Sequence, residues 1–197
     1  MLASTSIIGL ASFSYPNYSM ERWHVYLVYL LVLIVTVAPL SVSRTVPWLT
    51  QGTLYISLAG VIITFVVVLA MHQHFQPASY LLQPSSTVGS SGWPHRLAWI
   101  LGAANSMYAY VGLDASMHIS EEMKDAGKHI PRIMNLTMFI GALSALPLFT
   151  ALMYLIDDPD KVANSSLPSL EAYMQATGSR AAAYVLQVWM TVVYVCK

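Results

Sequence analysis

VPWLTQGTLYISLAGVIITFVVVLAM, residues Val46 to Met71, contains no Asp, Glu, Lys or Arg. An α-helix rises about 1.5 Å per residue, so about 20 apolar residues cross the roughly 30 Å hydrocarbon core of a bilayer; this stretch can cross it with tilt. Pro47 stands where a first helical turn would lie, a position at which its missing N–H is harmless. Just upstream, Val25 to Val42 (VYLVYLLVLIVTVAPLSV) is equally apolar, with Pro39 near its end, where a kink is tolerated in lipid. Only Ser43, Arg44 and Thr45 separate the two stretches, so they are expected to form a tight antiparallel hairpin of membrane helices.

Further segments of the same kind lie on both sides. Leu97 to Ile119 reads as a third span, and Ile133 to Ile156 as a fourth, opened by Pro131 and closed by Asp157, Asp158, Pro159 and Asp160. Ala181 to Cys196 reads as a fifth, at the short limit for a crossing. Leu2 to Phe13 covers about 18 Å by helical rise, too little to span alone, and reads as the second half of a helix. Gln76 to Trp93, with Pro77, Pro84 and SSTVGSSGW, reads as loop, and so does the polar segment Asp157 to Arg180. The expectation is an all-α membrane protein, one polytopic region over residues 1–197, and a piece of something longer, since the chain starts inside a transmembrane pattern and stops at Lys197 straight after a span.

Composition supports lipid as the solvent. Hydrophobic residues make up 56% of the 197 and charged ones 9%, with a mean hydropathy of +0.59, whereas soluble domains average about 25% charged. Nine basic and nine acidic side chains could not cover a water-soluble globule of this size. With net charge zero and no run of Lys or Arg, a nucleic-acid partner is excluded. Cys196 is the single cysteine, so no intrachain disulfide or CxxC site exists. The first basic residue is Arg22, which argues against a cleaved signal peptide at the apolar start. If the Arg44 loop is cytoplasmic, Arg44, Lys124, Lys128, Arg132 and Lys197 lie inside, and Arg22, Arg96, Lys161 and Arg180 outside. The short inner loops favour that orientation, which puts the acidic cluster Asp157 to Asp160 outside.

The chemistry concentrates in the third span. Asp114 is the one Asp, Glu, Lys or Arg well inside any apolar segment. A carboxylate at mid-membrane costs about 2.5 to 3.5 kcal/mol on insertion scales, so it must face protein or water, and it is a functional candidate by default. Counted from Leu97 it sits about 25 Å in, towards the cytoplasmic third. Tyr110, Asp114, His118 and Glu122 follow at i, i+4 spacing as one polar stripe, and Gly112 within it lets backbone open or approach a ligand. The bland readings are a carboxylate that only hydrogen-bonds a neighbouring helix, an interfacial His118 that is solvated or capping, and Glu121 and Glu122 at a solvated helix end. Asn17-Tyr-Ser and Asn164-Ser-Ser fit outer-face glycosylation acceptors, a pattern that is common by chance.

The stretch YVGLDASMHISEEMKDAGKHIPRIM, residues 110–134, resembles the motif GxDAxxHxxEExxxAxxxxPRxI of fungal amino acid, choline and GABA permeases, members of the amino acid, polyamine and organocation superfamily. Tyr15-Pro16 and Tyr18 before Trp23-His24, and Ser91-Gly92-Trp93 ahead of the motif, are weaker supports. The resemblance implies a fold of two inverted five-helix repeats with helices one and six broken at the substrate site, this chain covering the end of helix three through helix eight. It implies that Tyr108, Ala109, Tyr110, Val111 and Gly112 lie around the unwound part of helix six and line the substrate pocket, and that Asp114 couples transport to protons. His118, Glu121, Glu122, Pro131 and Arg132, the rest of the motif, would belong to the cytoplasmic gate. Nothing in the chain corresponds to the first helix, which receives the substrate carboxylate in the family.

The expected function is therefore proton-coupled transport of amino acids or related amines by a partial permease in the plasma membrane or an internal one such as the vacuolar membrane. Its expected partners are lipid, a small amino acid or amine substrate and, for a split carrier, another permease chain. The alternative is a non-transporting remnant or a regulatory piece of a permease. An intramembrane metalloenzyme built on Asp114, His118 and Glu122 is disfavoured, because there is no HExxH pattern and no second histidine in a facing span. No enzyme activity, metal or cofactor is expected.

Overall fold

The computed structural model describes residues 2–15, 18, 21–40, 46–72, 75–77, 79, 93–107 and 125–196, without the side chains of 39, 40, 95, 96, 99 and 105. The regular elements among them are helices: α1 (Leu2–Ser14), α2 (Arg22–Leu40), α3 (Val46–Ala70), α4 (His95–Ser106), α5 (Ala126–Leu155), α6 (Pro159–Asn164), α7 (Pro168–Thr177) and α8 (Arg180–Cys196). They fall into two compact units, one of residues 1–77 and 150–197, the other of residues 78–149.

Among the described residues α3 and α5 are the two helices long and apolar enough to cross a bilayer. Only 6% of the most apolar window of α5 is buried within the chain, and Phe139, Leu143, Leu146 and Phe149 stand bare. Water would not tolerate such a surface, and with the composition it identifies a membrane protein. At about 1.5 Å per residue, the 30 residues of α5 reach about 45 Å, well beyond the hydrocarbon thickness, so one end must stand in the headgroup or aqueous layer.

In the first unit α8 is the central element and packs on α1, α3 and α7. α3 and α8 run antiparallel: the Thr53 hydroxyl lies 3.4 Å from the Cys196 carbonyl, and further along the Trp189 indole N–H donates to the Ile56 carbonyl at 3.2 Å. Gly60, one turn on from Ile56, is what lets the indole lie against α3, since a Cβ there would come within 2.7 Å of Trp189 Cδ1. Small residues at the crossing are how membrane helices gain close van der Waals contact. Among the described residues α2 lies mainly on α1, and α3 on α8 and α7, while the turn that would join α2 and α3 as the expected hairpin lies outside the described residues. Short connections bring helices near each other, but which faces fit decides which ones pack.

The segment Asp157 to Arg180, read as loop from its polarity, folds into α6 and α7. Asp158 caps α6, its carboxylate accepting from the Lys161 N–H at 3.0 Å with Pro159 in the first turn. α7 starts at Pro168 and ends at Gly178, which takes φ 61° and donates its N–H to the Met174 carbonyl. One face of α7 (Leu170, Tyr173, Ala176) is buried in a core with Val68 of α3, Leu155 of α5 and Ala183 and Leu186 of α8. Outside the apolar spans the hydrophobic effect acts in full, and burying a Leu170-sized side chain contributes about 1.5 to 3 kcal/mol.

One further boundary differs from expectation. α5 begins at Ala126, so Pro131 does not open the helix but lies inside it, as does Pro147. Residues 133–155 of that helix belong to the fourth span, and the turns before them carry Lys128 and Arg132. Of the third span, α4 and Met107 are described, and residues 108–119 lie outside the described residues.

Candidate functional site

Tyr108, Ala109, Tyr110, Val111, Gly112, Asp114, His118, Glu121, Glu122 and the acceptor Asn17 lie outside the described residues. What the structure gives is the helices that flank the motif, α4 and the part of α5 up to Phe149, in the second unit. α4 ends at Ser106, whose hydroxyl donates back to the Ala103 carbonyl at 2.7 Å. On the far side Asp125 takes φ 57°, a left-handed conformation that Asp and Asn tolerate better than most residues. Its carbonyl then accepts the Lys128 and His129 N–H groups at 3.0 and 3.3 Å and starts α5.

Pro131 and Arg132 sit exposed in the second turn of α5, with Lys128 one turn before Arg132 on the same face. Cations at a helix N-terminus oppose the macrodipole, so this basic end is stable only where water or anionic headgroups surround it. The Pro131 ring removes the N–H that would meet the Gly127 carbonyl, and Pro147 does the same to Leu143. Asn164 closes α6, exposed, its side-chain amide donating to the Asp160 carbonyl at 2.9 Å, with Ser165 and Ser166 following.

The first unit holds two polar features that the reading by spans missed. Where α1 ends and α8 begins, the Arg180 guanidinium lies 4.6 Å from the centre of the Phe13 ring and donates from Nη2 to the Phe13 carbonyl at 3.0 Å. On α7, Glu171 accepts from Lys161 Nζ at 3.0 Å and from Gln175 Nε2 at 3.3 Å, both at Oε1. Arg180 and Glu171, with Ser12, Ser165 and Ser166, line one cavity of about 290 Å³ whose apolar wall includes Phe13, Leu167 and Leu170. The sequence signals were the Pro168 to Gly178 punctuation of a short helix and the i, i+3, i+6 run Leu170, Tyr173, Ala176 inside it.

Deeper in the same unit, Gln187 of α8 is fully buried, and neither its amide nitrogen nor its amide oxygen has a hydrogen-bond partner; the Ser4 hydroxyl of α1 is likewise buried and unpartnered. Thr177 and Thr191, also buried, return their hydroxyl protons to backbone carbonyls four residues earlier. Among the described residues no group of His, Cys, Asp and Glu is placed to hold a metal ion.

Comparison with known proteins gives a consistent picture. The sequence pattern of the family described as amino acid permease matches residues 1–196. A protein of Macrophomina phaseolina with the provisional name amino acid/polyamine transporter is 28% identical over 98% of this chain. The 7-keto 8-aminopelargonic acid transporter and the choline transporter of Saccharomyces cerevisiae are 27% and 26% identical, each over 93% of the chain. The chain spans 43% of the length of the first of these relatives and 34% and 33% of the other two. No solved structure matches it.

Proposed function

Because the chain belongs to the amino acid permease family, we propose that it supplies part of a proton-coupled carrier for amino acids or related amines, in the plasma membrane or an internal one. The observation that carries the reading is the coincidence of the family match over residues 1–196 with one carboxylate, Asp114, inside an otherwise uncharged apolar stretch. The named relatives carry a polyamine or amino acid, an amino-keto acid and choline, all small molecules with a cationic nitrogen, which supports an amine-bearing substrate here.

In this reading Tyr108 to Gly112 leave the helical hydrogen-bond ladder, and their freed backbone N–H and C=O groups meet the substrate. Asp114 takes and releases a proton as the site changes access. Neutralising the carboxyl removes the cost of a charge in the low-dielectric part of the cycle, so substrate movement and proton movement are tied together. His118, Glu121, Glu122, Pro131 and Arg132 form the inner gate, where the basic first turns of α5 stand at the headgroup layer. Arg132 and Lys128 on the cytoplasmic side, with Asn17 and Asn164 outside and glycosylated, complete the topology.

The test is uptake of labelled amino acids, GABA and choline by cells lacking their own permeases, expressing this chain alone or joined to the remaining helices of a relative. Uptake that falls at least tenfold in Asp114→Asn and loses its dependence on external acidity is the expected outcome. Undiminished, acid-stimulated uptake by Asp114→Asn would remove the coupling role.

A further inference from the structure

The cavity between α1, α7 and α8 has walls of both signs. Arg180 presents a guanidinium already held in place, by the Phe13 ring face at 4.6 Å and the Phe13 carbonyl at 3.0 Å. Only Nη2 is spent on that carbonyl, which leaves the other donors of a planar fork suited to a carboxylate or phosphate. Glu171 stands on the same cavity, its side chain 16% exposed, with both recorded bonds made at Oε1 and Oε2 left over. Lys161, the partner at 3.0 Å, is 67% exposed, and an exposed cation is screened and neutralises a carboxylate weakly.

A ligand with one charge would gain one wall and be repelled by the other. A simple anion drawn to Arg180 meets Glu171, and a simple cation drawn to Glu171 meets Arg180; discrimination of this kind rests on the repulsive partner as much as on the attractive one. A molecule that carries an anion and an ammonium satisfies both. The volume, about 290 Å³, lies at the small end of ligand sites, and Ser12, Ser165 and Ser166 add hydroxyls while Leu167 and Leu170 give an apolar floor. Gly9 also lines it, and α1 can approach α7 there because a Cβ would come within 2.9 Å of Leu167.

We propose that this cavity is a binding site for a small zwitterion, its anionic group on Arg180 and its ammonium on Glu171. Two sources carry that chemistry: a free amino acid, and the headgroup of phosphatidylethanolamine, since the cavity is lined by the ends of the apolar helices α1 and α8 together with the polar segment before and within α7. The site uses no residue of the 108–124 segment, so it stands or falls separately from the transport reading.

The experiment uses the purified chain in phosphatidylcholine nanodiscs. Labelled alanine should bind saturably, with alaninol, which lacks the carboxylate, and propionate, which lacks the ammonium, at least tenfold weaker. In a second arm nanodiscs of mixed lipid are stripped with detergent and the lipid retained on the chain is weighed by mass spectrometry. Alanine binding assigns the free amino acid, and selective retention of phosphatidylethanolamine assigns the headgroup. Either signal should fall at least tenfold in Arg180→Gln and in Glu171→Gln, while Arg180→Lys, which keeps the charge and loses the fork, retains part of it and so separates ligand contact from misfolding. Absence of both signals, or a signal unchanged in both neutral variants, overturns the proposal. Uptake undiminished in Asp114→Asn, with this binding intact, would refute the coupling reading and leave this one standing.

Discussion

At the scale of single residues, two side chains of α8 set opposite demands. Trp189 lies on Gly60 with its indole N–H bonded to Ile56, so any side chain at position 60 displaces the ring and breaks that bond. Gly60→Val should lower the stability of the detergent-solubilised chain by about 1 to 3 kcal/mol, the usual cost of overpacking, read as a drop in the thermal midpoint. Gln187, by contrast, is buried with both amide atoms unpartnered, and a buried polar group without a partner costs about 1 to 3 kcal/mol. Gln187→Met keeps the volume and removes that cost, so the midpoint should rise; a fall would mean that water or a ligand satisfies the amide.

At the scale of elements, α7 shows why polarity misleads. Glu171 and Gln175 on its outer face made the segment look like a loop, while Leu170, Tyr173 and Ala176 on the inner face are among the best buried residues of the first unit. Burial pushes the Tyr173 phenol above its ordinary value of about 10, with Tyr194 adding to the effect, and its O–H lies 3.7 Å from Met190 Sδ. The unfolded chain gives up this proton first, so the stability Tyr173 contributes is complete below about pH 10 and is lost as the pH rises from there through the raised folded value. Tyr173→Phe keeps the ring packing and the neutral form, and alkaline melting curves of the two proteins should agree at pH 8 and diverge above pH 10, with the variant the more resistant. Identical curves at every pH would show that Tyr173 is not buried.

At the scale of the whole molecule, function depends on which end of α8 faces outward. If α6, α7 and the Arg180 cavity lie outside, Asn164 is open to glycosylation, because its amide is exposed at the end of α6 with Ser166 two residues on. A glycosidase-sensitive mobility step that vanishes in Asn164→Gln is the expected outcome; no step, together with protection of α7 from external protease, would place this end inside. Much of this protein was legible before folding was considered. The apolar stretches and the scarcity of charge determine a helical membrane protein, because the cost of exposing apolar surface to water and charge to lipid is a property of composition and run length, and those are written in the chain; the motif around Asp114 carries the likeness to permeases. What only the tertiary structure decided is which helices pack, that α3 seats on α8 through Gly60, that α7 is core, and that Arg180 and Glu171 share one cavity. Those outcomes depend on facing surfaces and on residues far apart along the chain, such as Phe13 and Arg180, which no local period brings together.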